Sequence, residues 1–436
     1  MATDETNSST ISLVVTGATL LVLDSLLDDE KCNNRHGKPA RERQRRRVAQ
    51  IYKSLGPIYF RRAYRMTYES FCILHKILDD GIDRALGQRK HDHRTPPIAN
   101  GLISTQIRLA CALRYFAGGS PYDIMVKYGI SHTEIFRSVW SVVDAINRVE
   151  KFFIVYPKEH EKQRKIAADF EKKSQAGFKI CAGAIDGILI WIHKPTDEEA
   201  RKCGVGQTKF FCGRKGKFGL NCQAVSDASG RFLEMSITYG GSTSDCLAFE
   251  GSRLYQRLEE GLLIDGFCLF GDNAYINTPY MATPFKNVSS GSRDHYNFYH
   301  SQLRIRVECA FGMLTQRWSI LRAPLPVGIS ISKCVSLVNA LAKLHNFCID
   351  CFEEAPPRNP VDHYTLVTNP SGFVNLEVQE NSENVALPSQ LMGGGHHWDD
   401  IDRTFRRNQN LETLPRQRLL EQVANSHLVR PRPIEP

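Results

Sequence analysis

Residues 180–192 read Ile180-Cys181-Ala182-Gly183-Ala184-Ile185-Asp186-Gly187-Ile188-Leu189-Ile190-Trp191-Ile192. The run is strongly apolar and holds one charge, Asp186. A carboxylate there is costly unless it is paired or binds a cation. The arrangement recurs downstream, where Phe267-Cys268-Leu269-Phe270 leads into Gly271-Asp272-Asn273-Ala274-Tyr275. Both stretches read as core strands that deliver an acid to the working edge of a sheet. Taken singly, Asp186 would pair with a basic residue and Asp272 would start a turn.

The surrounding pattern fixes the class of fold. Phe218–Val225 and Arg231–Tyr239 are strand-like and joined by the hairpin-type connection Asp227-Ala228-Ser229-Gly230. Leu247–Leu262, Ser301–Leu321 and Ile329–Phe347 read as helices. Strands first, then strand and helices in alternation, predict an α/β domain with a mixed sheet and helices packed on it. The Ser301–Leu321 helix carries an apolar stripe of Val307, Phe311, Leu314, Trp318 and Leu321. Glu308 borders that stripe, with Arg304 and Gly312 one turn to either side. Asp186, Asp272 and Glu308 would then offer three hard oxygen donors without Cys or His, a set suited to magnesium or manganese. Two such ions activate an attacking water or hydroxyl and stabilise the departing oxygen of a phosphodiester.

The chain has 436 residues and a formal net charge of +9. Twelve Lys and Arg against one acid, Glu42, fall between Lys31 and Arg65, so the rest of the molecule is slightly acidic. The peak of this basic arm holds Arg41, Arg43, Arg45, Arg46 and Arg47. It suits phosphate neutralisation or nuclear import, against the plainer reading of a solvated arm. Arg214, Lys215 and Lys217 form a second candidate DNA contact, or an ordinary solvated cluster. Residues 1–100 form an N-terminal region with the arm (31–65) and a linker containing His91 and His93. Residues 101–150 form a helical domain of the helix-turn-helix type. There Pro121–Lys127 is the short helix, and Tyr128-Gly129-Ile130-Ser131 forms the turn. Ser131 and Glu134 are placed to form a capping box for the long helix His132–Val149. That helix would offer His132, Thr133 and Arg137 to the major groove, although a plain helical bundle has the same periodicity. The nuclease-like domain spans 151–351, and 352–436 reads as a largely disordered tail rich in Pro, Asn and charge.

Thirteen cysteines without framework spacing read as small core residues of a reducing compartment, and the lone Cys348/Cys351 pair is too small a set for a zinc tetrahedron. The apolar run Ile11–Leu23 is too short to span a bilayer and lacks a basic flank, which reads as a buried or partner-docking helix. In the tail, Gly393-Gly394-Gly395-His396-His397 with Asp399 and Asp400 is a weak metal candidate, because a flexible stretch loses entropy on binding.

Three acidic blocks resemble the signature blocks of Harbinger-type transposases. They are Gly183-Ala184-Ile185-Asp186-Gly187, Gly271-Asp272-Asn273-Ala274-Tyr275 and Arg304-Ile305-Arg306-Val307-Glu308-Cys309-Ala310-Phe311-Gly312. Thirty-five residues separate Asp272 from Glu308, a separation common among such enzymes. Lys215–Ala224, Gly241–Asp245, Trp318–Leu321 and Leu344-His345-Asn346-Phe347 are also similar to family segments. Ile188-Leu189 departs from the more polar residues that often follow the first Asp-Gly. The resemblance covers about Phe152–Cys351. It implies a ribonuclease-H-like catalytic domain with Asp186, Asp272 and Glu308 as catalytic metal ligands and Asp245 as a possible supporting acid. It further implies two divalent ions, magnesium or manganese, and a nuclear enzyme that cuts and joins DNA at transposon terminal repeats and A/T-rich targets. A separate Myb-like DNA-binding partner and oligomers are part of that expectation. The alternatives are a domesticated nuclear DNA-binding relative without catalysis, and a sequence-independent hydrolase on RNA or repair intermediates.

Overall fold

A computed structural model describes residues 45–87, 102–351 and 414–431, together with a small ladder pairing Val367–Thr368 and Val374–Asn375. The run Ile11–Leu23, the His91/His93 linker and the Gly393–Asp400 stretch lie outside the described residues. Among the described residues, no helix is long and apolar enough to cross a membrane.

Strand β1 (Cys181–Trp191) is the spine of the sheet. Cys181 to Ile185 are fully buried, which explains the unbroken apolar run: a strand covered on both faces has no reason to alternate. On one side β1 pairs antiparallel with β3 (Lys217–Ser226), which pairs antiparallel with β4 (Phe232–Gly240) and, at its first residues, with the short β2 (Phe211–Cys212). On the other side β1 runs parallel to β5 (Cys268–Phe270), and β5 parallel to β6 (Met281–Ala282). The order is β4–β3–β1–β5–β6.

The N-terminal helices are α1 (Val48–Tyr64), α2 (Tyr68–Leu86), α3 (Thr105–Phe116), α4 (Pro121–Tyr128) and α5 (His132–Arg148). The second half of the basic arm is thus helix. Val48, Ile51, Phe60 and Tyr64 are buried, and the helix kinks at Gly56-Pro57. Gly129 ends α4 in the left-handed conformation, the turn that the helix-turn-helix pattern requires. Ser131 caps α5 by accepting the Glu134 N–H at 3.3 Å. The reciprocal half of the expected capping box is not made. The Glu134 carboxylate turns away to Arg108 at 3.0 Å and Arg137 at 2.9 Å, because Arg108 is 1% exposed and needs a counter-charge. Helix α5 packs against α2, α3 and the later helix Ile331–Asp350, and its exposed positions reduce to a strip including Thr133, Arg137, Asp144 and Arg148.

Helix α6 (His160–Glu171) precedes β1 and packs on it. After β1 comes the short α7 (Asp197–Lys202). The expected helix Leu247–Leu262 is two pieces, α8 (Asp245–Glu250) and α9 (Arg253–Glu259), because Ser252 caps a new start by accepting from Tyr255 N at 3.2 Å. Helix α10 (Ser292–Arg317) starts nine residues before the expected Ser301. Its first turns bury Tyr296, Tyr299 and His300, residues whose polar atoms hide the stripe from a hydropathy reading. Helix α11 (Ile331–Asp350) carries His345 and Asn346, which fasten the β3–β4 hairpin. His345 Nε2 meets Gly230 O at 2.9 Å, while Asn346 accepts from Phe232 N at 2.9 Å and donates to Phe232 O at 2.8 Å.

One segment of the tail is folded. Within 352–436, α12 (Pro415–Asn425) packs on α10 and β6 with Leu419 and Val423 in the core. Tyr299 donates to Val429 O at 2.9 Å and Arg430 pairs with Asp294 at 3.0 Å, so this segment is part of the folded body.

Candidate active site

Asp186 stands where β1 leaves the fully buried layer, for the side chains from Asp186 to Leu189 are half-buried. On the parallel neighbour β5, Phe270 is level with Ala184. Asp272, two residues beyond Phe270, therefore comes level with Asp186. Asp272 does start a turn: its Oδ1 accepts the Ala274 N–H at 2.8 Å. The preceding Gly271 N–H donates to Ala282 O at 3.1 Å, which ties the turn to β6.

Helix α10 lies across β1, β3 and β5 and presents His300, Arg304 and Glu308 at one-turn spacing. His300 Nε2 meets Ala282 O at 2.9 Å, and its ring stacks on Phe270 with centroids 4.7 Å apart. This places the helix against the two acid-bearing strands. One turn on, Arg304 Nη1 lies 3.5 Å from Asp186 Oδ2 and 2.5 Å from Glu308 Oε1. The structure thus brings Asp186, Asp272 and Glu308 to one place, and Asp186 also has the basic partner that its burial demanded. Sequence reading saw Arg304 only as a neighbour of Glu308.

Burial pushes the Asp186 carboxyl up to about 7, with Asp272 and Glu308 adding to the rise and Arg304 opposing it. Burial also raises the Asp272 carboxyl and Asp245 adds to that; the Ala274 N–H, Arg304 and Arg214 pull it down. Asp186 feels both other carboxylates, and Arg304 acts on both aspartates, so these groups share one electrostatic centre.

Asp245, the first residue of α8, sits beside this centre. Its Oδ1 accepts from Gln223 Nε2 at 2.8 Å and Asn221 Nδ2 at 3.1 Å, and Tyr275 donates to Gln223 Oε1. A Cβ on Gly187 would stand 2.2 Å from Asp245 Oδ1 and 2.5 Å from Gln223 Nε2. The glycine after the first acid is therefore a steric requirement. Gly312, by contrast, has nothing within 4 Å of where a Cβ would stand. Asn221, Gln223 and Tyr275 were not picked out as site residues from sequence, although polar side chains two apart on a core strand were a signal.

Asp186, Asp272 and Glu308 offer only carboxylate oxygens, and their crowding favours added positive charge, so the donor set fits a hard divalent cation. Among the described residues no group of three or more His, Cys, Asp or Glu is arranged to hold a metal ion. Arg304 stands between Asp186 and Glu308 instead.

The basic candidates are distributed unevenly. Arg214, Lys215 and Lys217 are exposed at the β2–β3 turn, with Arg214 near enough to act on Asp272. Lys217 Nζ lies 3.4 Å over the Trp191 ring. Arg45, Arg46 and Arg47 directly precede α1, an end where the helix dipole disfavours cations and attracts anions. Arg41 and Arg43 lie outside the described residues. Arg137 is half-exposed and paired to Glu134, and His132 packs against Tyr122 and Phe136 rather than standing free.

Residues 185–346, which hold all three acids, match the family of DDE superfamily endonucleases. The match supports the resemblance to Harbinger-type transposases. The chain is 24% identical over 273 residues to "Protein ALP1-like" of Arabidopsis thaliana, a match covering 59% of this chain and 64% of that protein, under two thirds of its length. It is 26% identical over 290 residues to "Putative nuclease HARBI1" of Xenopus laevis, covering 64% of this chain and 74% of that protein. No solved structure matches the chain.

Proposed function

We propose that the protein is a metal-dependent DNA endonuclease that cuts and joins phosphodiester bonds at transposon ends, acting in the nucleus. The convergence of Asp186, Asp272 and Glu308 from β1, the β5 turn and α10 carries this reading. The strand order β4–β3–β1–β5–β6, antiparallel then parallel, supports a ribonuclease-H-like catalytic domain. Magnesium or manganese ions held by the three acids would activate the attacking water or hydroxyl and stabilise the departing oxygen. The chain's own residues do the rest. Partial burial of Asp186 and Asp272 excludes water that would screen the centre. Asp245, held by Asn221 and Gln223, keeps the Asp186–Gly187 backbone in place. Arg214, Lys215 and Lys217 hold the DNA backbone beside Asp272, and the arm before α1 adds phosphate contacts further off. A Myb-like partner and oligomers belong to the same reading.

The test is supercoiled plasmid carrying candidate element ends, incubated with magnesium, manganese or EDTA and with Asp186→Ala, Asp272→Ala or Glu308→Ala protein. Metal-dependent nicking should fall to background in each variant while DNA binding persists. Cutting retained by Asp272→Ala rejects the assignment. Binding without cutting by the natural chain favours the non-catalytic DNA-binding relative instead.

A further inference from the structure

We propose that Arg304 is a resident counter-cation of the acidic centre, which competes with a divalent metal ion for the carboxylates of Asp186 and Glu308. The inference rests on the proposed nuclease site and concerns how that site is loaded.

One nitrogen, Arg304 Nη1, serves both acids, at 3.5 Å from Asp186 Oδ2 and 2.5 Å from Glu308 Oε1. The three side chains are 21%, 18% and 38% exposed, so water screens them only in part. Arg304 and Glu308 are one turn apart on α10, so their pairing is set by the helix itself, while Asp186 comes from the sheet. The guanidinium thus ties helix to strand through charge at the point where the acids would otherwise repel. Guanidinium stays protonated at all ordinary pH, so it cannot yield by losing its proton. A divalent cation seated on the same oxygens would stand within a few ångströms of a fixed positive charge, and at that range one of the two must move. Arg304 has the freedom to do so, because its long side chain can swing away while its backbone stays in α10. Metal loading is thereby an exchange of one cation for another. Arg304 acts as a positioning residue, distinct from the acids that face the substrate.

The experiment uses the full chain and Mn2+ alone as probe, with free Mn2+ read by electron paramagnetic resonance and stability by thermal unfolding in EDTA and in saturating Mn2+. Arg304→Gln should bind Mn2+ about tenfold or more tightly than the natural chain. Its Tm should fall in EDTA and recover to the natural value in Mn2+. A merely structural arginine would lower both Tm values alike and leave affinity unmoved. Unchanged or weaker Mn2+ binding by a cooperatively unfolding Arg304→Gln overturns the proposal. If that variant does not fold, Arg304→Lys decides: its looser pairing predicts tighter Mn2+ binding than the natural chain, and equal or weaker binding overturns the idea. Asp272→Asn separates the two levels of the argument. If it weakens Mn2+ binding while Arg304→Gln changes nothing, only the exchange is wrong. If it too changes nothing, the metal centre itself is wrong, and the exchange with it.

Discussion

At the scale of single residues, the site depends on a few contacts that tolerate no extra atoms. Gly187→Ala would drive a methyl into Asp245 Oδ1 and Gln223 Nε2. Overpacking of this kind costs roughly 1–3 kcal/mol, so the variant should unfold several degrees lower and cleave DNA poorly. An unchanged Tm would show that Asp245 can retreat freely. Asn346→Ala strips Phe232 of both backbone partners in a buried place, and should cost about 1–3 kcal/mol by urea denaturation. Removing the exposed pair Lys162–Glu159 should leave the urea midpoint unmoved, because solvent screens it. Asp186 and Asp272 stood out in the sequence because an acid in or just after an apolar run conflicts with local chemistry, whereas Glu308 was picked out by the resemblance of its block. Arg304 was not legible in its bridging role, since a cation at a stripe's border reads equally well as solvated. Asn221 and Gln223 were missed for a related reason: within a similarity block their polarity carried no partner, and the partner, Asp245, is more than twenty residues away.

At the scale of elements, the strands were the most readable part. β5 is an apolar run, β1 is one broken only by Asp186, β3 is buried from Gly219 onward despite Asn221 and Gln223, and the β3–β4 hairpin announces itself through Asp227-Ala228-Ser229-Gly230. Helix boundaries were less readable where polar aromatics or serines decide them, as at Tyr296–His300 in α10 and Ser252 between α8 and α9. α12 was unreadable because its apolar content is small and only docking on α10 gives it a purpose. Leu419→Asp should therefore detach α12 and raise proteolysis of the 414–431 segment, leaving β1, β3 and β4 protected from amide exchange; equal protection of the segment would show that Leu419 contributes little. The arm before α1 has its own test. Neutralising Arg41, Arg43, Arg45, Arg46 and Arg47 should flatten the salt dependence of DNA binding by about 0.9 of slope per lost phosphate contact. An unchanged slope would leave the arm to import or solvation.

At the scale of the whole molecule, two buried histidines contribute to acid sensitivity. Burial lowers His345 to about 4 and His300 to about 3, so both are neutral in the folded protein at pH 7. In the unfolded chain they protonate near 6.5. Stability from this source is full above pH 6.5 and is lost as pH falls from there towards 4 and then 3, at about 1.4 kcal/mol per unit for each histidine. His345→Asn should accordingly lose less stability between pH 7 and pH 5 than the natural chain, by about 2 kcal/mol in urea titrations, and an equal loss would contradict the assignment. The same scale explains why α10 is the sensitive beam of the structure. Its far end is held by the N-terminal bundle, through Arg317 to Arg65 O at 2.7 Å and Trp318 against Phe116, and its near end by the 414–431 segment. During synthesis, Glu308 leaves the ribosome more than a hundred residues ahead of Arg430. A nascent chain therefore carries all three acids while Tyr299, Phe298 and Asp294 still await their covering. The near-end brace of α10 is thus made well after the helix it holds.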